Sequence, residues 1–354
     1  MKNWREEAGQ RLDHLLKDVV PWVLQRYDPE SGGFYFAQSA ARKRSYPPDI
    51  ESTAQAINIL SRSKALDMLP RQALIRFFQE RQQPDTGYFY DPHPLMKQDE
   101  VMVHRALNYA VNSLRRLGGS PLYPLPVQQR QAPSYAFSLE DYRAKWEQIS
   151  LVNSWRGCDL LASSMVYVAE MDAEIQSIYV QAFADYLAEK QDKVTGLWGE
   201  GSMYVRISGT FKLHTFYRKY QIALPNQGKI YQSIWDCLHN EIAIDMCYIR
   251  NPIDLLSYLN VHVSEQTLEE VVKMTIDNME QLKQADGAFS REIGHSVKAP
   301  NVAQVKADES YPGMPAPVEL GLGLAEGDMN ATTQATLIHQ RLHQIWDKEG
   351  RLNQ

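Results

Sequence analysis

Four short glycine-aromatic phrases recur along this chain: Gly32-Gly33-Phe34-Tyr35, Thr86-Gly87-Tyr88-Phe89, Thr195-Gly196-Leu197-Trp198 and Asp286-Gly287-Ala288-Phe289. A phrase that returns after 54, 109 and 91 residues, one step, about two steps and an interval whose register insertions or deletions disturb, marks an array of similar supersecondary units. Ahead of three of the phrases, residues 73–82, 179–191 and 271–284 carry apolar side chains at helical spacing. Some ten to twenty residues after a phrase a second helix is expected, and six such helices are predicted to begin near Asp49, Asp99, Ser150, Ser208, Glu241 and Asp328. Asp and Ser suit those positions because the first helical turn exposes amide groups and favours negative charge. Six hairpins share 354 residues at ~59 each, ample for two helices of ordinary length. The fold expected is therefore all-α, an (α/α)6 toroid of six helical hairpins whose second helices line a central cavity.

Composition fits one domain spanning 1–354, with 44% hydrophobic and 23% charged residues and no Gly/Ser-rich linker or charge block to divide it. A net charge of -6 with interspersed signs gives no basic face for nucleic acid. Cys158, Cys237 and Cys247 are scattered and odd in number, which makes no disulfide framework. The first residues are charged and amphipathic rather than signal-like, and no apolar run reaches spanning length, so a cytoplasmic protein that is not integral to a membrane is expected. Two stretches, 118–137 and 294–327, hold several prolines each and are expected to be long loops over one end of the toroid.

Residues 46–54 (YPPDIESTA), followed by an apolar helix, a second helix and the Gln-rich turn 79–90 (QERQQPDTGYFY), resemble the squalene-hopene cyclase branch of the terpenoid cyclase and protein prenyltransferase superfamily. The resemblance implies the same toroid and a central acid that protonates an alkene or epoxide. Glu51 takes the central acid position, Asp49 the first and Ser52 the last, so the acid is one methylene longer than the pattern and the second carboxyl is missing. Trp155, Trp198, Tyr204, Phe211, Phe216 and Tyr217 are the aromatic faces expected near a carbocation. A second echo, Asp245-Met246-Cys247-Tyr248, is similar to the phrase that gives prenyltransferases two zinc ligands. Residues 329–332 (MNAT) stand where the third ligand, a His, would be, and two ligands make a poor zinc site, so no cofactor is expected.

Six-hairpin toroids also house glycoside hydrolases, polysaccharide lyases and sugar epimerases, and residues 28–34 (DPESGGF) are similar to a turn common among them. Sugar chemistry needs carboxyl groups across a cleft, for which Asp99 or Glu100, Asp159, Asp245, Glu326 and Asp328 are candidates. Trp155 and Trp198 would stack on sugar rings, while Arg156, His104 and His214 would bind a uronate carboxylate or move a proton. Residues 326–333 (EGDMNATT) place Asp328 and Asn330 at a helix start, either as a cap or at the cavity mouth. The expectation from sequence ranks an apolar isoprenoid ligand first, a sugar second and a non-catalytic scaffold third. Oligomeric state stays open.

Overall fold

The computed structural model describes residues 4–43, 46–302, 311 and 313–352, with side chains as far as Asp347. Among these residues the chain is all-α, and extended segments pair only through isolated bridges. The helices are α1 (Trp4–Leu16), α2 (Val19–Leu24), α3 (Gln38–Arg42), α4 (Ile50–Arg62), α5 (Arg71–Gln79), α6 (Glu100–Arg116), α7 (Leu139–Gln148), α8 (Ser154–Ser164), α9 (Ala173–Lys190), α10 (Met203–Lys219), α11 (Gln227–Asn240), α12 (Met246–Tyr258), α13 (Glu265–Gln281) and α14 (Met329–Leu352). They pack as two compact units interleaved in sequence. The first gathers Met1–Pro70, Ile234–Ala303 and Glu319–Gln354, and the second Arg71–Ser233 and Gln304–Val318.

Each unit is built around a row of three second helices. In the first unit α14 packs between α4 and α12, and in the second α8 packs between α6 and α10. The expected starts at Asp49 and Asp99 are the observed caps, with Asp49 accepting from the Ser52 amide at 2.7 Å and Asp99 from that of Val101 at 3.0 Å. Three expected starts shift. Asn153, rather than Ser150, caps α8, and Asp245, rather than Glu241, caps α12, because α11 continues to Asn240. Helix α10 begins after Ser202, so Ser208 lies inside it. Ser208-Gly209 is a notch of small residues where α10 presses on α8, and a Cβ at Gly209 would lie 2.1 Å from Ser154 Oγ.

The four repeated phrases share one turn. In each, the amide of a residue at the close of the first helix donates to the carbonyl just past the glycine, while the glycine amide donates back: Asp28 with Gly33 and Gly32, Gln83 with Tyr88 and Gly87, Asp192 with Leu197 and Gly196, Gln284 with Ala288 and Gly287. The turn needs a left-handed residue, and Gly32, Gly87, Gly196 and Gly287 supply φ between 72° and 97°. The aromatic or leucine side chain is then buried, and in three phrases the next amide donates to a threonine of a row helix: Phe34 to Thr53, Trp198 to Thr210 and Phe289 to Thr332. The side chain before two turns carries the link onward. Gln82 donates to the Gly87 and Tyr123 carbonyls and Gln191 to those of Gly196 and Pro225. Lys283 does the same toward Gly287 and Leu15.

Residues 118–137 form the expected loop, relieved by a short 3-10 turn at Ser134–Phe137. Of the loop 294–327, residues 303–310 and 312 lie outside the described residues.

Candidate functional site

In the first unit the starts of α4, α12 and α14 meet, and Arg291 joins them. Its position follows from the turn at Gly287, which sends the chain past Phe289 so that the Arg291 carbonyl accepts from the Met246 amide and its own amide donates to Asp328 Oδ2 at 2.8 Å. The guanidinium Nε donates to both Asp245 oxygens, at 2.6 and 2.7 Å, and Nη1 donates to Asn330 Oδ1 at 2.9 Å. Asn330 in turn donates to Glu51 Oε1 at 3.4 Å, which also accepts from Gln55 Nε2 at 3.0 Å. Gln334, one turn along α14, donates to Asn330 and accepts from Arg250 of α12. A continuous polar chain thus runs across the row from Asp245 to Gln55.

Three carboxylates in this row serve helix starts. Asp49, Asp245 and Asp328 each accept an amide of their own helix, from Ser52, Cys247 and Ala331, all at 2.7 Å. Glu51 instead meets the side chains of Gln55 and Asn330, while remaining buried. Burial pushes Asp328 up to about 7, with the Ala331 and Arg291 amides and the Arg291 charge working the other way. Burial opposes the charge on Arg291 too, yet the Asp245 carboxylate overrides it and holds the guanidinium well above its ordinary value. Two further atoms of this chain of groups, Gln55 Oε1 and Arg291 Nη2, are buried and have no hydrogen-bond partner among the described residues. An unmet buried donor or acceptor costs about 1–3 kcal/mol, so these two atoms are the least satisfied of the polar chain.

Of the two weak metal candidates, Cys247 is a buried free thiol and Asp245 already has partners. Asp245 is held by Arg291 and the Cys247 amide, and Thr332, near the position expected of a third ligand, receives the Phe289 amide. Among the described residues no group of three His, Cys, Asp or Glu side chains is placed to hold a metal ion. Glu326 accepts from the Ser39 amide at 2.8 Å and from its hydroxyl, which ties down the start of α3.

The second unit gathers a different set. Asp99 accepts from Arg156 Nη2 at 2.8 Å, and one turn along α8 Asp159 pairs with Arg105 of α6 and with Lys212 of α10 at 3.1 Å. Burial raises the energy of the Asp159 anion, but Arg105, Lys212 and Arg156 outweigh it and hold the carboxyl down at about 2. Burial also favours protonation of Glu100, but Lys145 outweighs it and lowers that carboxyl. His104 is buried against Ser163 and pushed down to about 4, so it is neutral at pH 7. His214 has both nitrogens engaged, Nδ1 with the Phe211 carbonyl at 2.6 Å and Nε2 accepting from Arg218 at 3.1 Å.

The aromatic candidates enter the core of this unit. Trp198 is fully buried, donates to the Leu187 carbonyl of α9 and packs on Tyr217, while Phe216 packs on Phe183. Phe211 lies against His214, and Trp155 and Tyr204 are buried on α8 and α10. Arg291, Gln55, Gln334 and Arg105 were missed by sequence reasoning. For Arg291 the only local signal is its place two residues past Phe289, opposite a predicted helix start. No helix of the described residues is long and apolar enough to cross a membrane. No protein-family model matches the chain, and no curated protein matches it.

Proposed function

We propose that this chain is a carbohydrate-active enzyme, with its six hairpins closed as an (α/α)6 toroid and a hydroxyl-rich ligand held on the α4–α14–α12 row. The observation that carries the reading is the polar chain Glu51, Gln55, Asn330, Gln334, Arg250 and Arg291, with an unmet donor on Arg291 and an unmet acceptor on Gln55. A sugar hydroxyl donates and accepts at once, and it satisfies both kinds of atom. An isoprenoid hydrocarbon satisfies neither, and would leave this chain of groups desolvated. Glu51 is the residue proposed for proton transfer, since the other carboxylates of the row serve helix starts. Asp49 orients the turn that carries Glu51, and Asn330 positions the Glu51 carboxyl.

The isoprenoid reading keeps one supporting observation. Glu51 is a buried acid hydrogen-bonded by its neighbours at a helix start, as the cyclase-like phrase 46–54 implies. The two readings separate in one experiment. The purified chain is incubated with a panel of neutral and acidic oligosaccharides and, in parallel, with squalene and geranylgeranyl diphosphate. New reducing ends or unsaturated uronates that disappear in Glu51→Gln support the sugar reading. Cyclised hydrocarbon from the wild type, lost in the same variant, establishes the isoprenoid reading instead, and sugar turnover unchanged in Glu51→Gln removes Glu51 from the chemistry.

A further inference from the structure

Midway along α14 two histidines converge with a carboxylate of α1, inside the first unit. His339 and His343 stand four residues apart and so share one face of the helix. Their Nε2 atoms lie 3.3 Å from each other, and Asp13 Oδ1 lies 3.3 Å from His339 Nε2 where α1 packs on α14. Both imidazoles are half-buried, and their rings meet edge-on at 4.6 Å between centroids. Trp346, one turn further on, sets its ring 4.7 Å from that of His343 and limits where the imidazole can turn. Arg341 lies between the histidines in sequence but donates to Asp254 and Gln344 instead.

Three electron-rich atoms therefore meet with too few hydrogens among them. Two Nε2 atoms at this distance have room for one proton between them, because two would oppose each other. A carboxylate such as Asp13 only accepts, so the proton belongs on His339 Nε2, where it cannot point fully at both Asp13 and His343. Burial and the neighbouring His343 hold His339 below its ordinary value against the pull of Asp13, so no second proton is supplied at pH 7. A metal cation in place of the shared proton answers both nitrogen lone pairs at once. Nitrogen ligands of a tetrahedral ion, at bonds of about 2.0–2.1 Å, lie about 3.3–3.4 Å apart, which is the separation between these two atoms. Uncharged imidazole favours zinc and copper, whereas magnesium and calcium take oxygen.

We propose that His339 and His343 form a binding site for a divalent transition-metal ion, Zn2+ or Cu2+, with water in its remaining positions. No third His, Cys, Asp or Glu of the described residues is placed to complete the shell, so the bound ion is exchangeable rather than enclosed. Asp13 stands beside the pair and adds negative charge on the side of His339. The site uses no residue of the polar chain around Glu51 and does not depend on the role given to it.

Calorimetric titration of the full chain at pH 7.5 tests the site, with Zn2+, Cu2+ and Mg2+ as the probes. Saturable binding of one ion per chain is expected for Zn2+ and more tightly for Cu2+, and none for Mg2+. His343→Gln and His339→Gln each remove one ligand and should weaken that binding by about tenfold or more. The ion should raise the midpoint of thermal unfolding in the wild type and not in either variant, since a ligand of the folded state stabilises it. The same unfolding curves without metal check that both variants fold, and His343→Gln decides alone if His339→Gln does not. Absence of saturable binding by Zn2+ and Cu2+, equal binding of Mg2+, or affinity unchanged in His343→Gln overturns the site.

Discussion

Asp328 and Asp159 lie on matching rows of second helices, both are buried, and their carboxyls are shifted in opposite directions. Asp159 meets Arg105 and Lys212 directly and is held down at about 2. Asp328 receives two amides and only the more distant help of Arg291, whose Nε is spent on Asp245, and burial wins at about 7. Desolvation of a carboxylate is overcome by cations in contact with it, and amides alone do not suffice here. One architecture thus yields a carboxyl held ionised in the second unit and one near its titration point at neutral pH in the first.

Removing the central cation of each row probes that contrast most strongly. Arg291→Met leaves Asp245 buried without its ion pair and should lower unfolding free energy by about 3–5 kcal/mol. Arg105→Met leaves Asp159 its Lys212 partner and should cost about 1.5–3 kcal/mol. Urea denaturation of both variants measures the difference, and equal losses would break the comparison.

The next effect is in the pH dependence, where the two carboxyls act with opposite sign. The folded-state value of Asp159 is depressed, so its stabilisation is complete above the unfolded value near 4 and is lost as pH falls toward 2, a contribution of about 2 kcal/mol. Asp328 is raised, so its contribution is complete below pH ~4 and is lost as pH rises toward 7. Unfolding free energies from pH 2 to 8 should show stability rising from 2 to 4 and then eroding toward 7. Asp159→Asn should reduce the first limb, which it shares with Asp192, and Asp328→Asn the second, which it shares with Glu170. A slope between pH 4 and 7 undiminished in Asp328→Asn would remove Asp328 as a source.

Smaller effects come from the repeated turn. Gly87 has φ +73°, and a Cβ there would sit 2.2 Å from the Pro124 carbonyl oxygen. Gly287 has φ +97° and faces the Asp18 Cβ at 2.8 Å. Gly87→Ala should cost about 1–3 kcal/mol, and Gly287→Ala less, because its approach of 2.8 Å is the looser of the two. Calorimetric midpoints rank the two, and the reverse order would show that the turns are not held alike. Least of all, Ser202→Ala removes the α10 cap and should cost about 1 kcal/mol, measured in the same way.

Much of the local structure was legible in the chain itself. The four glycine phrases specify four turns because only glycine adopts their left-handed backbone cheaply, and that requirement is written in one residue. The caps at Asp49, Asp99 and Asp328 were legible for the same reason, since a cap is a contact between neighbours in sequence. Starts at Ser150, Ser208 and Glu241 were misplaced where a polar residue served packing or an earlier helix instead. Of the site, Glu51, Asn330 and Arg156 were visible as polar residues at helix starts, yet what each would face was not.

Tertiary structure decided the rest, because periodicity tells which face of a helix is buried and not what it is buried against. Trp198 and Tyr217 have the composition of a cavity lining, and only the packing of α9 behind them makes them core. Arg291 has no local signature, and it gains its place through Asp245, 46 residues before it in the chain, and Asp328, 37 after it. The protonation of Asp328 and Asp159 follows from such distant partners. A sequence fixes a carboxyl's chemistry through its neighbours in the chain, but desolvation and cation contact depend on which helices come together in space.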